Sequence, residues 1–106
     1  MTEQEFLDVL TTLAGKPTWE ARVERPCPSD SLIRLYQGGK CFCPVTAVCE
    51  AQTAVRYKPD AWRRAARDIQ LDSGLAEDIV NAADGEIVDD QAKALRPKLL
   101  AACGQN

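Results

Sequence analysis

Cys43-Pro44-Val45-Thr46-Ala47-Val48-Cys49-Glu50-Ala51-Gln52-Thr53-Ala54-Val55 is the stretch on which the fold turns. Proline has no backbone N–H and a fixed φ, so Pro44 suits the first turn of a helix, with Cys43 as its N-cap. At about 100° per residue, Val45, Ala47, Val48, Cys49, Ala51, Ala54 and Val55 cover most of the circumference, leaving Thr46, Glu50 and Thr53 as a narrow polar stripe. A helix that is apolar almost all round belongs at the centre of a fold, and the pattern carries it to about Tyr57.

Helical signals flank this segment on both sides. Thr2 and Glu5 form a capping box, after which Phe6, Leu7, Val9, Leu10, Leu13 and Ala14 share one arc until Gly15 and Pro17 end the run. Beyond the central helix, Pro59-Asp60 opens a third, with Trp62, Ala65, Ala66 and Ile69 inward and Arg63, Arg64 and Arg67 outward. Asp72-Ser73-Gly74 leads into a fourth, with Leu75, Ile79, Val80 and Ala83 inward, ended by Asp84-Gly85. A fifth starts near Asp89-Asp90, and its stripe of Val88, Ala92, Leu95, Leu99 and Cys103 runs through Pro97, predicting one kinked helix.

Between the first helix and Cys43 the period falls to two. Trp19, Ala21 and Val23 alternate with Glu20, Arg22 and Glu24, as in a half-exposed strand. Arg25-Pro26-Cys27-Pro28-Ser29-Asp30 reads as a loop. Leu32–Tyr36 enters a Gly38-Gly39 hairpin with Lys40-Cys41-Phe42 as the return strand, and a helix over Ser31–Gln37 competes for the same residues. The expected fold is mainly α: about five helices in one compact domain spanning 1–106, with a small β-hairpin between helices 1 and 2.

The 106 residues include 15 alanines and only 23 Leu, Ile, Val and Phe, a composition that favours closely packed helices over a thick sheet sandwich. There is no histidine, which removes Ser-His-Asp and Cys-His catalysis, mixed Cys-His zinc fingers and HExxH proteases. The opening Met1-Thr2-Glu3-Gln4-Glu5 is acidic where a signal peptide needs positive charge, and no apolar stretch nears the ~18 residues of a membrane helix. With five cysteines, an odd number, the expectation is a soluble cytoplasmic protein with reduced thiols.

Four chemistries are testable on paper. Cys27, Cys41, Cys43 and Cys49 supply the four thiolates of a zinc or iron-sulfur site, but their spacing lacks the paired C-x₂-C turns that aim sulfurs at one metal, so core packing is preferred and no metal or cofactor is expected. Cys43 at a helix N-terminus has the position of a stabilised thiolate but no base beside it, so no enzymatic activity is expected. Asp84-Gly85-Glu86-Ile87 falls at the centre of a calcium-loop pattern whose first, third and twelfth positions would be Val80, Ala82 and Gln91, which argues for simple helix termination. Ala65–Asn81 has the outline of a helix-turn-helix, yet its second helix carries Glu77, Asp78 and no basic residue, which opposes phosphate binding.

Charge patterning is more informative. Residues 68–92 hold eight carboxylates and no Lys or Arg, residues 54–67 carry a net +4, and the whole chain is only −3. Two solvated faces that partly pair with each other are one reading. The other is an acidic patch of Asp72, Glu77, Asp78, Asp84, Glu86, Asp89 and Asp90 that steers and orients a protein with a basic surface.

Gly39, Cys43-Pro44-Val45-Thr46-Ala47-Val48, Ile69-Gln70-Leu71 and Ile79-Val80-Asn81-Ala82-Ala83-Asp84 together resemble a pattern of small uncharacterised bacterial and prophage proteins, with a Gly…Cys-Pro-aliphatic-x-Ala segment before two short helices. The resemblance covers roughly residues 34–84 and carries over no catalytic or ligand residues. It implies a phage or mobile-element interaction protein, including inhibitors of nucleic-acid-handling defence nucleases, whose basic grooves suit an acidic partner. The expected function is therefore a small acidic, non-enzymatic protein that binds another protein. A cysteine-ligated metal protein and a helix-turn-helix-like regulator are the alternatives.

Overall fold

The computed structural model describes residues 1–27 and 30–104, with side chains for all of these except 26, 27 and 30. The element order is α1 (Glu3–Ala14), β1 (Glu20–Cys27), β2 (Asp30–Gln37), β3 (Lys40–Phe42), α2 (Pro44–Thr53), α3 (Trp62–Asp68, entered through a 3₁₀ turn at Pro59–Ala61), α4 (Ser73–Ala83) and α5 (Asp90–Ala102). The mainly helical fold and the hairpin between α1 and α2 are as the sequence predicts.

The capping box on α1 forms in full: Thr2 Oγ1 accepts from Glu5 N at 3.1 Å, and Glu5 Oε1 accepts from Thr2 N at 3.0 Å. These bonds satisfy amides that the helix cannot satisfy itself. Phe6, Leu7, Leu10 and Leu13 are buried.

The sheet is larger than a hairpin. Its three antiparallel strands lie in the order β1-β2-β3, with Ala21 opposite Leu35, Val23 opposite Ile33 and Leu35 opposite Phe42. These pairs point one side chain set inward; Ile33, Leu35 and Phe42 are buried and Ala21 and Val23 half-buried. The competing helix over 31–37 is not formed, because Ile33 and Leu35, two residues apart, both find places in the core of the sheet's inner face. Gly38 and Gly39 both have positive φ (58° and 77°), the conformation a tight two-residue hairpin requires. Of the loop expected over 25–30, Arg25, Pro26 and Cys27 belong to β1 instead, with a register shift between Glu24 and Cys27 that accommodates the proline; Pro28 and Ser29 lie outside the described residues.

Helix α2 starts as expected: Cys43 has extended φ/ψ and its Sγ accepts from Thr46 N at 3.4 Å. Pro44 through Cys49 are all buried, so this half is the centre of the fold. Two details differ from the sequence reading. Thr46 is not on a polar face but fully buried, its hydroxyl donating to Cys43 O at 3.1 Å, so the polar atom is satisfied within its own helical turn. The helix also stops at Thr53 rather than near Tyr57: Ala54 takes a left-handed φ of 62°, and Ala51 to Arg56 are exposed. Pro59 holds the preceding Lys58 in extended backbone, which ends any continuation before the next helix.

Helix α3 closes with Gln70 at φ 54°, where Leu71 N donates to Ala66 O at 2.9 Å, a Schellman-type end built without glycine. Ala65, Ala66 and Ile69 are buried and Trp62 half-buried. In α4 the buried set is Ala76, Ile79, Ala82 and Ala83, with Leu75 and Val80 half-buried at its margin. Helix α5 runs unbroken through Pro97, whose missing N–H falls on an exposed face, and buries Ala92, Leu95, Leu99 and Ala102. Val88 leaves the predicted stripe: it precedes the helix and is 64% exposed, because Asp89 fixes the N-cap one residue after it. Trp19 packs edge-on against Phe42, ring centroids 5.2 Å apart, and joins a core drawn from every helix and the sheet. No helix among the described residues is long and apolar enough to cross a membrane.

Candidate functional site

The seven carboxylates singled out in the sequence lie along α4, the α4–α5 connection and the start of α5, and the structure divides them by role. Asp72 and Asp89 are N-caps: Asp72 Oδ2 accepts from Leu75 N at 3.0 Å, and Asp89 Oδ1 accepts from Ala92 N at 2.7 Å. Carboxylates there complement the positive end of the helix macrodipole. Asp84 ends α4, and its Oδ1 is shut off from solvent with Arg34 Nη1 2.8 Å away, an ion pair rather than an aligned hydrogen bond. These three residues hold the fold together as well as contributing charge.

Gly85 makes the chain turn after α4. Its φ is 79°, and a Cβ there would sit 3.0 Å from Ser31 O, so a side chain would be both strained in conformation and crowded. Arg96 crosses from α5 beneath this turn, donating to Ala82 O at 2.6 Å and Ala83 O at 3.2 Å and to the Ser31 hydroxyl. The guanidinium thus satisfies carbonyls at the end of α4 and links α5 to β2.

Glu77, Glu86 and Asp90 are exposed and Asp78 is half-buried. Asp89 and Glu77 are the acidic neighbours of Asp78. Partial burial first, and then Asp89 and Glu77 nearby, raise the pKa of Asp78 above the ordinary carboxylate value. The sequence placed these acids in one run; that Asp78, eleven residues earlier, meets the N-cap of α5 required the packing of α4 on α5. Sequence reading missed Ile87 and Val88 as surface residues. They are 47% and 64% exposed, and they sit between Glu86 and Asp89. The result is an apolar tip bracketed by carboxylates.

Four ion pairs are present among the described residues: Arg22–Glu20, Arg34–Asp84, Arg56–Glu50 and Lys98–Glu3. None joins the basic segment 54–67 to the acidic segment 68–92, although Tyr57 donates a hydrogen bond to Asp68 Oδ2 at 2.6 Å. Arg63 stacks on its neighbour Trp62 instead, 4.4 Å from the ring centroid. The two charged segments therefore stay uncompensated by each other through direct contact.

The cysteines have a different environment. Cys43, Cys49 and Cys103 are buried and Cys41 is half-buried. Among the described residues no three Cys, Asp or Glu side chains are grouped to hold a metal; the Cys27 side chain of the expected four-thiol set lies outside those residues. Burial raises the Cys43 thiol pKa more than the Thr46 bonds at the helix N-terminus lower it, and burial pushes Cys103 up to about 11. The helix N-terminus at Cys43 thus does not produce a ready thiolate.

Comparison with known proteins finds no matching family model, no matching curated protein and no matching solved structure.

Proposed function

We propose that the chain is a small non-enzymatic binding protein whose α4–α5 corner docks on a basic surface of another protein. The observation that carries this reading is the tip itself: exposed Ile87 and Val88 flanked by Glu86, Asp89 and Asp90, with Glu77 and Asp78 on the adjoining helix and no Lys or Arg paired to any of these five acids among the described residues. Exposed aliphatics give a contact that can be desolvated, while surrounding carboxylates steer and orient the approach. The raised pKa of Asp78 is also a local electrostatic cost at this corner, which suits a residue whose charge serves a role other than stability.

A nucleic-acid-handling protein has the matching chemistry, since a groove lined to neutralise phosphates also attracts a carboxylate cluster. Within this proposal the chain acts as an inhibitor by occupying such a groove, in keeping with a phage or mobile-element origin. Glu77, Glu86 and Asp90 are the contacts to test, being exposed and free of capping duty. Changing all three to Lys should leave the circular dichroism spectrum unchanged and abolish capture of the protein's partner. Retention of the same partner by the triple variant in low salt would refute the proposal.

A further inference from the structure

A concave feature that shares no residue with the acidic corner lies between β3 and the segment that follows α2. It is a groove of about 300 Å³. Its accessible apolar surface comes from the half-buried Tyr57 and Pro59, with the half-buried Cys41 beside them; Phe42 reaches the groove only at its margin, being 2% exposed. Three exposed cations complete the lining: Lys40, Arg56 and Lys58.

The cations are not equivalent. Arg56 is held from two sides, its Nε donating to Glu50 Oε1 at 3.3 Å and its Nη2 to Gln37 Oε1 at 3.1 Å, so the guanidinium fork is oriented before any ligand arrives. Lys40 and Lys58 have no carboxylate within ion-pair distance among the described residues. Counting Glu50, the groove carries a net +2 in a chain whose overall charge is −3. Concentrated positive charge at a concave, partly apolar place is therefore a local property that the overall charge hides.

We infer that this groove binds a small organic phosphate dianion carried on a flat apolar ring. The net +2 matches a dianion, and three separate cationic donors match the several acceptor oxygens of a phosphate better than the two of one carboxylate. Tyr57 and Pro59 take the ring, and the volume, at the low end for ligand sites, limits the ligand to about one ring system. Each part alone is insufficient: inorganic phosphate lacks the apolar contact, and the uncharged ring lacks the cations.

Phenyl phosphate is the simplest probe, titrated into the full chain by calorimetry, with inorganic phosphate and phenol as its separated halves. Saturable binding is expected with a dissociation constant of about 1 mM or below, and each half at least about tenfold weaker. Lys40→Ala with Lys58→Ala should weaken phenyl phosphate about tenfold, whereas Lys93→Ala, an exposed cation on α5, should leave it unchanged. Bound phenyl phosphate should also slow alkylation of Cys41, read by peptide mass. Failure of phenyl phosphate to saturate, equal binding of inorganic phosphate, or an unchanged affinity in the double variant would each overturn the assignment.

Discussion

Arg34 Nη1 lies 2.8 Å from Asp84 Oδ1 and ties the middle of the sheet to the last turn of α4. Both side chains are mostly buried, at 16% and 28% exposure, so neither charge is well solvated if the other is removed. Arg34→Met should therefore destabilise the protein by about 2–3 kcal/mol, because it leaves Asp84 unpaired in a partly dry site. Arg34→Met combined with Asp84→Leu should cost less than Arg34→Met alone. Urea unfolding of the three proteins measures this, and a single variant as stable as the parent would show that the pair is not coupled.

Asp78 gives a pH dependence of definite sign. Its pKa is raised in the fold, so the folded state holds the proton more tightly than the unfolded chain. Stability from this group is then present at low pH and is lost as pH rises from the ordinary aspartate range through the raised folded value. Asp78→Asn should increase the thermal midpoint at pH 7 and leave it nearly unchanged at pH 3. A lower midpoint at pH 7 would contradict the assignment of Asp78 as a strained carboxylate.

The capping aspartates should separate from the exposed acids in the same assay. Asp72→Ala and Asp89→Ala each remove the acceptor for an otherwise unsatisfied helix amide and should cost about 1 kcal/mol. Glu77→Gln, Glu86→Gln and Asp90→Asn should each stay within about 0.5 kcal/mol, apart from a small macrodipole contribution at Asp90. If the exposed acids proved as costly as the caps, the division of roles along α4 and α5 would be wrong.

Cysteine reactivity should follow burial. With iodoacetamide at pH 8, Cys41 should react in the native protein while Cys43, Cys49 and Cys103 wait for unfolding in denaturant. Rapid native labelling of Cys43 would instead point to an activated thiolate at the start of α2.

Much of the fold was legible because single local signals decided it. Thr2 with Glu5, Gly38-Gly39 and Pro44 each act within a few residues, and each element they mark is present. The errors fall where tertiary packing outweighs pattern. Thr46 looked like surface because it is polar, yet a hydroxyl that bonds back to Cys43 O can be buried without loss. Ala51, Ala54 and Val55 looked like core because they are apolar, yet the chain leaves the helix at Ala54 and they remain exposed. Val88 fitted the helical period but lies before the N-cap.

The acidic site was legible as a run of charge and no further. That Asp72 and Asp89 are caps could be read from their positions before helices. That Asp84 meets Arg34, fifty residues earlier, could not, because nothing local encodes the approach of β2 to α4. Nor could the exposure of Ile87 and Val88, or the gathering of Lys40 with Arg56 and Lys58, which depends on where the chain after α2 crosses β3.

The central claim is that the α4–α5 corner binds a basic protein surface. The most direct measurement is capture by the immobilised parent and by the Glu77→Lys, Glu86→Lys, Asp90→Lys variant, each from the same cell extract at low and high salt. The expected result is a protein retained by the parent at low salt, released as salt screens the charges, and absent from the folded variant at either salt. Equal retention of that protein by parent and variant at low salt would contradict the claim.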